Sequence, residues 1–101
     1  MPSSPLAAKY GHEFRRRIAG MSSADKIIFG QLVASARRKG RVLKRISFHN
    51  MLIEGISVQI YDNRYILYDV KGSERGDTIE LLYLGHVLHE DGIFKFDFEK
   101  N

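Results

Sequence analysis

The chain contains no cysteine. That absence excludes a disulfide framework and a thiolate metal site, so metal chemistry would have to rest on four histidines and the carboxylates. Long hydrophobic runs are missing as well: no segment approaches the roughly 18 apolar residues that cross a bilayer. The first ten residues lack the basic stretch and apolar run of a signal peptide. No membrane partner and a cytoplasmic location are expected, which the lack of cysteine fits. There is no internal repeat and no low-complexity tract beyond the Pro/Ser-flavoured residues 1–5, which are expected to fray. Motifs of high specificity are also absent, including a Walker A loop, a Rossmann fingerprint, His-Glu-x-x-His and a Gly-x-Ser-x-Gly elbow.

What is present is enough for one domain spanning residues 1–101, with 44% hydrophobic content to close a single core. Charge is divided unevenly along it. Residues 1–50 carry eleven lysines and arginines against Glu13 and Asp25, a balance of +9, whereas residues 51–101 carry five against ten carboxylates, a balance of −5. Such asymmetry points either to a polyanion or an acidic protein as partner of the basic half, or to ordinary solvated helix faces.

Two helices are expected first, at about 5–19 and 23–39. Ser4-Pro5 can start the first, with Tyr10, Phe14 and Ile18 on one face and Gly20 as its stop. Because Gly11 weakens its middle, the other reading is an extended segment up to Tyr10 and a helix only from about His12. The second helix opens on a Ser22–Asp25 capping box and continues as a stripe of Ile28, Phe29, Leu32, Val33 and Ala36. Arg37, Arg38 and Lys39 suit the negative end of its dipole, and Gly40 ends it.

From Arg41 the period changes to two, placing all strands within 42–98. Val42, Ile46 and Phe48 alternate with Arg45, Ser47 and His49; Ile56, Val58 and Ile60 alternate with Ser57, Gln59 and Tyr61. Asp62-Asn63 is a two-residue turn leading into Tyr65–Val70, apolar on both sides and so central. After a polar loop over 71–77 come a strand at 78–84, a turn at Glu90-Asp91-Gly92, and a last strand on which Phe94, Phe96 and Phe98 alternate with charges. The fold class expected is α+β, an N-terminal helical hairpin packed on a four- to five-stranded, mainly antiparallel sheet.

Several residues could carry chemistry. His86 at a strand end suits general acid or base work near neutral pH, given an ordinary pKa of roughly 6.5, or it is a plain exposed strand-end histidine. His86 and His89, three apart, point to opposite faces of a regular strand, so no metal pair is expected unless Gly85 introduces a bulge. Arg64 can clamp a phosphate and stabilise a phosphorane-like transition state, or form a salt bridge to a nearby carboxylate. Lys44, Arg45 and His49 can supply phosphate contacts and proton transfer, with Arg38 and Arg41 extending the basic surface; a solvated sheet face is the other reading. Tyr61, Tyr65, Tyr68 and Tyr83 offer stacking surface for RNA bases, or fill the core.

The stretch Gly55-Ile-Ser-Val-Gln-Ile-Tyr-Asp-Asn-Arg-Tyr-Ile-Leu-Tyr-Asp-Val70, then a polar loop and Asp77-Thr-Ile-Glu-Leu-Leu-Tyr-Leu-Gly-His86, resembles the C-terminal half of the RelE/ParE toxin superfamily. The resemblance covers roughly residues 12–90 in the order of elements. It implies that Arg64 corresponds to the family's hairpin arginine and His86 to its strand-end histidine or arginine, and more loosely that Lys44, Arg45 and His49 match basic positions on the strand after the helices. The family usually begins with a strand paired into the sheet, for which residues 1–11 are a poor pattern. The activity implied is metal-independent cleavage of RNA, free or on the ribosome, with Arg64, His86 and His49 catalytic and Lys44, Arg45, Arg41 and Arg38 binding phosphate. No cofactor is expected, and a small antitoxin-like protein is the implied partner. The alternative is a non-catalytic binding module of the same fold that inhibits or regulates a macromolecule.

Overall fold

The computed structural model describes residues 5–43, 50–72 and 76–100, leaving aside the side chains of 99 and 100. The protein is α+β, with two helices and a mixed sheet of six strands: β1 (Ala7–Tyr10), α1 (His12–Ala19), α2 (Ser23–Lys39), β2 (Asn50–Ile53), β3 (Ile56–Tyr61), β4 (Arg64–Lys71), β5 (Thr78–Glu90) and β6 (Ile93–Phe96). A 3-10 turn over Asp97–Lys100 ends the described chain. The sheet order is β1-β5-β4-β3-β2, with β6 also paired to β5.

The N-terminus decides between the two expectations: there is no helix from residue 5, and the extended reading up to Tyr10 with a helix from His12 holds. Ala7–Tyr10 runs parallel to Thr78–Leu81 of β5, so strands are not confined to 42–98 and the mainly antiparallel sheet includes a parallel pair. Gly11 is the reason: its amide donates to the Leu81 carbonyl at 2.8 Å, and a Cβ there would collide with that oxygen, so the glycine continues the pairing and α1 starts only at His12. A strand whose pairing edge is a distant segment leaves little periodic trace in its own four residues.

Of the expected strand over 42–49, Val42 and Leu43 are irregular and residues 44–49 lie outside the described residues; a strand is described over Asn50–Ile53. Val42 is nonetheless buried, its amide donating to Ser57 Oγ at 3.0 Å. The last strand ends at Phe96, and Phe98 belongs to the 3-10 turn.

Side chains on the sheet divide into two apolar clusters. One packs Ile66, Tyr68 and Val70 of β4 and Ile79, Leu81 and Leu84 of β5 against Phe14 of α1 and the Phe29, Leu32, Val33 and Ala36 stripe of α2. The other gathers Val58, Ile60, Tyr65, Val87 and Phe96 on the opposite face. Leu81 and Leu84 share a face although they are three apart, because β4 and β5 shift register there: Leu67 faces Tyr83 and Tyr68 faces Leu81, leaving Leu82 as an extra residue. The bulge inverts the alternation for the rest of β5. It carries Leu84 and His86 to the helix side and Tyr83 and Val87 to the other.

On the edge of β5 away from β4, β1 covers Thr78–Leu81 and β6 covers Val87–Glu90. The gap between them is bridged by side chains. Arg17 Nε donates to the Leu84 carbonyl at 2.7 Å, and Asp97 Oδ2 accepts from the His86 amide at 3.1 Å and from Arg17 Nη2 at 3.2 Å. Tyr65 completes the network, its hydroxyl donating to Asp97 Oδ1 at 2.6 Å. Burial, with the Asp97 carboxylate beside it, pushes the Tyr65 phenol well above its usual range. Gly85 makes room for this arrangement, since a Cβ there would overlap the Asp97 carboxylate.

Two outcomes are expected. Gly85→Ala should lower stability by about 1–3 kcal/mol, the usual cost of overpacking a filled site, read as a lower midpoint in chemical denaturation. A phenol whose pKa is raised by folding stabilises fully below its unfolded value of about 10 and loses that contribution as pH rises beyond it. Alkaline unfolding of the wild type should therefore be steeper above about pH 10 than that of Tyr65→Phe, followed by circular dichroism; equal slopes would remove Tyr65 from the account.

Candidate functional site

Arg64 opens β4 directly after the Asp62-Asn63 turn, and its cross-strand partner is His86. The Leu82 bulge places the two on the face over which the first turn of α2 passes. That turn contributes Asp25, already fixed by its amide bond to the Ser22 cap (3.2 Å). Arg64 Nε donates to Asp25 Oδ1 at 2.8 Å, and Nη2 lies 2.7 Å from the same oxygen. Nη1 donates to the Asp62 carbonyl at 2.8 Å and to Asp62 Oδ2 at 2.9 Å. The His86 Nε2 is 3.7 Å from Asp25 Oδ2, and its ring stands edge-on to Phe29 with centroids 6.1 Å apart. One carboxylate therefore touches the guanidinium with one oxygen and faces the imidazole with the other.

The exposures of the three side chains differ in a useful way. Arg64 and Asp25 are about four-fifths covered, whereas His86 is 41% exposed and accessible to a ligand. A His–carboxylate pair of this kind can accept a proton and hold the resulting imidazolium. Arg64 has most of its five N–H donors engaged, but Asp62 is an exposed turn residue that an incoming anion can replace.

The expected site residues are not all assembled here. Arg64 and His86 come together, and Asp25, read in the sequence only as a helix cap, joins them. His49, Lys44 and Arg45 lie outside the described residues. Arg38 and Arg41 belong to the other end of α2, which at 1.5 Å per residue is about 20 Å from Asp25. There Arg41 Nη2 donates to the Val70 carbonyl at 3.0 Å, Arg37 Nε donates to the Leu6 carbonyl at 2.6 Å, and Arg38 lies exposed on the last turn. His89 is turned elsewhere, its Nε2 3.2 Å from Asn63 Oδ1 and its ring edge-on to Phe94. Among the described residues no three histidine, aspartate or glutamate side chains group as metal ligands, and no helix is long and apolar enough to cross a membrane.

Of the four tyrosines of the sheet region proposed as stacking surface, Tyr65 and Tyr68 are fully buried and Tyr83 is half-buried, leaving Tyr61, 54% exposed, to meet a ligand. Tyr61 pairs across the strands with Arg64.

Comparisons with protein families, with curated proteins and with solved structures give no match to this chain. Function is therefore argued from the geometry and the sequence resemblance.

Because Asp25 and Arg64 are partly buried and hydrogen-bonded, Arg64→Ala should cost about 1.5–3 kcal/mol, as for bonds to charged groups. A double-mutant cycle with Asp25→Asn should return a coupling of about 1 kcal/mol or more; additivity in denaturation midpoints would mean that the pair is not formed in solution.

Proposed function

We propose that this protein is a toxin-like endoribonuclease of mRNA-interferase type that cleaves RNA by metal-independent acid/base catalysis. The observation that carries the reading is the convergence of Arg64, His86 and Asp25 where the start of β4 pairs with the second half of β5. The pairing of β1 beside β5 supports the RelE/ParE resemblance, because a first strand entering the sheet is a family feature that the sequence pattern did not reveal. The two helices packed over one face of the sheet agree with it as well.

In this reading a 2′-hydroxyl of RNA loses its proton to a base and attacks the adjacent phosphorus, while the 5′-oxygen leaves and takes up a proton. His86 is the exposed group able to transfer a proton, and Asp25 holds its charged form. Arg64 stabilises the extra negative charge on phosphorus once the phosphate has replaced Asp62. Lys44, Arg45, Arg41 and Arg38 draw the polyanion to the surface, with His49 as second proton carrier, and a small antitoxin-like protein covers the same basic surface. The setting is the cytoplasm, and no cofactor takes part.

A second reading is favoured by the two carboxylates around Arg64: they leave the Arg64–His86 site with no excess of positive charge, while cations collect at the far end of α2. In that reading the chain is a non-catalytic binding module that inhibits or regulates a macromolecular partner.

The deciding experiment is induced bacterial expression of wild type, Arg64→Ala and His86→Ala, with growth and mRNA integrity followed together. Wild type should arrest growth and cut mRNA. Loss of the proton-transfer group should lower cleavage by about 10²–10⁴-fold in purified His86→Ala shown to be folded. Intact mRNA and normal growth with wild type would leave only the binding reading. Asp62→Asn should raise RNA affinity several-fold by freeing Arg64, as measured by titration at low salt.

A further inference from the structure

Along the β3 side of α2 runs a groove in two neighbouring parts. The first, of about 440 Å³, lies between Gln31 and Ser35 of the helix and Gln59 and Tyr61 of β3. The second, of about 380 Å³, lies among Lys39, Arg41, Asn50 and Gln59. Lys39 and Gln59 line both, so the two parts are neighbours. Within a lining that is mostly apolar, with Leu32, Val42 and Ile60, Gln59 is a polar point: it is only 3% exposed, its Nε2 donates to the Tyr68 hydroxyl at 3.0 Å, and that hydroxyl donates to the Gly40 carbonyl at 2.8 Å. Those two bonds fix the amide's orientation. One end of the groove carries Lys39 and Arg41; at the other, Tyr61 stands exposed beside Arg64, its cross-strand partner.

We infer that this groove is a binding track for single-stranded RNA, in which Lys39 and Arg41 engage phosphate, Gln59 reads the edge of an unpaired base, and Tyr61 stacks a base next to the Arg64–His86 site. The inference rests on the nuclease reading for the choice of ligand and extends it to residues that the catalytic cluster does not include. An oriented amide at the bottom of a cleft is costly to leave unpaired and discriminates between base edges. A duplex cannot offer such an edge, since its pairing faces are occupied and the major groove of A-form RNA is too narrow for side chains to read. An exposed tyrosine ring accepts any base by stacking. Cations at one end of the groove and Arg64 at the other suit a backbone that follows the helix between them.

The test is fluorescence anisotropy of the full chain with a 2′-O-methyl oligonucleotide, which binds but cannot be cut, as a single strand and as a duplex. Unmodified RNA cleavage is followed in parallel. The single strand should bind at least tenfold more tightly and lose affinity steeply with salt. Tyr61→Ala and Lys39→Glu, both changes at exposed positions, should each weaken binding about 5- to 100-fold, and Gln59→Leu should flatten the differences among the four homopolymers. His86→Ala should bind normally. If wild type binds through the groove but never cleaves RNA, the track stands and the nuclease reading falls. If wild type cleaves RNA while the Tyr61 and Lys39 variants bind and cleave unchanged, the track is wrong and the nuclease reading survives. Absence of single-strand binding, or equal binding of the duplex, overturns the track.

Discussion

Side chains on a strand must alternate between two faces, and β5 breaks that alternation once. With thirteen residues it is the longest strand and the one to which β1, β4 and β6 all pair. Before Leu82, its odd-numbered residues Ile79 and Leu81 meet the helices; after it, the even-numbered Leu84 and His86 do. Removing the extra residue would turn His86 away from Asp25 and Arg64 and place Tyr83 among the helix-facing apolar groups. The core and the candidate site thus depend on the same irregularity, because one inserted residue sets the facing of everything beyond it.

A bulged strand with two short neighbours on one edge leaves backbone groups unpaired between them. Here Arg17 and Asp97 supply the missing donor and acceptor at Leu84 and His86, and Arg17 also lies over the Tyr83 ring, 4.5 Å from its centroid. This ties α1 and the C-terminal turn to the segment that presents His86, so its backbone is held from both edges: by β4 on one side and by two charged side chains on the other. Buried amides and carbonyls rarely go unpaired, and a partly covered Arg–Asp pair is a compact substitute for a strand.

The basic half of the chain is resolved by the fold into groups with different duties. Arg37 and Arg41 tie elements together through backbone carbonyls, Arg17 does so through the Leu84 carbonyl and Asp97, and Arg16 pairs with Glu13 on its own helix; in the other half, Arg64 pairs with two aspartates. Net charge along the sequence therefore overstates what is available to a polyanion, while the carbonyl-bound arginines still contribute their field. Among the exposed cations, Lys39 borders the groove beside α2.

Much of this protein was legible in the sequence wherever a local rule applies. The Ser22 cap and the Phe29–Ala36 stripe of α2, the Asp62-Asn63 and Asp91-Gly92 turns, and the central β4 follow from capping chemistry, periodicity and turn preference, each acting over a few residues. The Arg64–His86 neighbourhood was half legible: each residue stood out singly, but Asp25 read only as a helix cap. At Ala7–Tyr10 an extended segment was legible as one of two readings, but its parallel pairing was not, because its partner lies some seventy residues away and Gly11 signals a close approach only once Leu81 is beside it. Nor could the sequence locate the bulge at Leu82, show that Gly85 admits the Asp97 carboxylate, or separate Arg41 from Arg64. Sequence by itself determined the local elements and the types of residue available for chemistry. Tertiary structure decided which of them meet, since contacts between distant segments depend on register and parity that no single segment encodes.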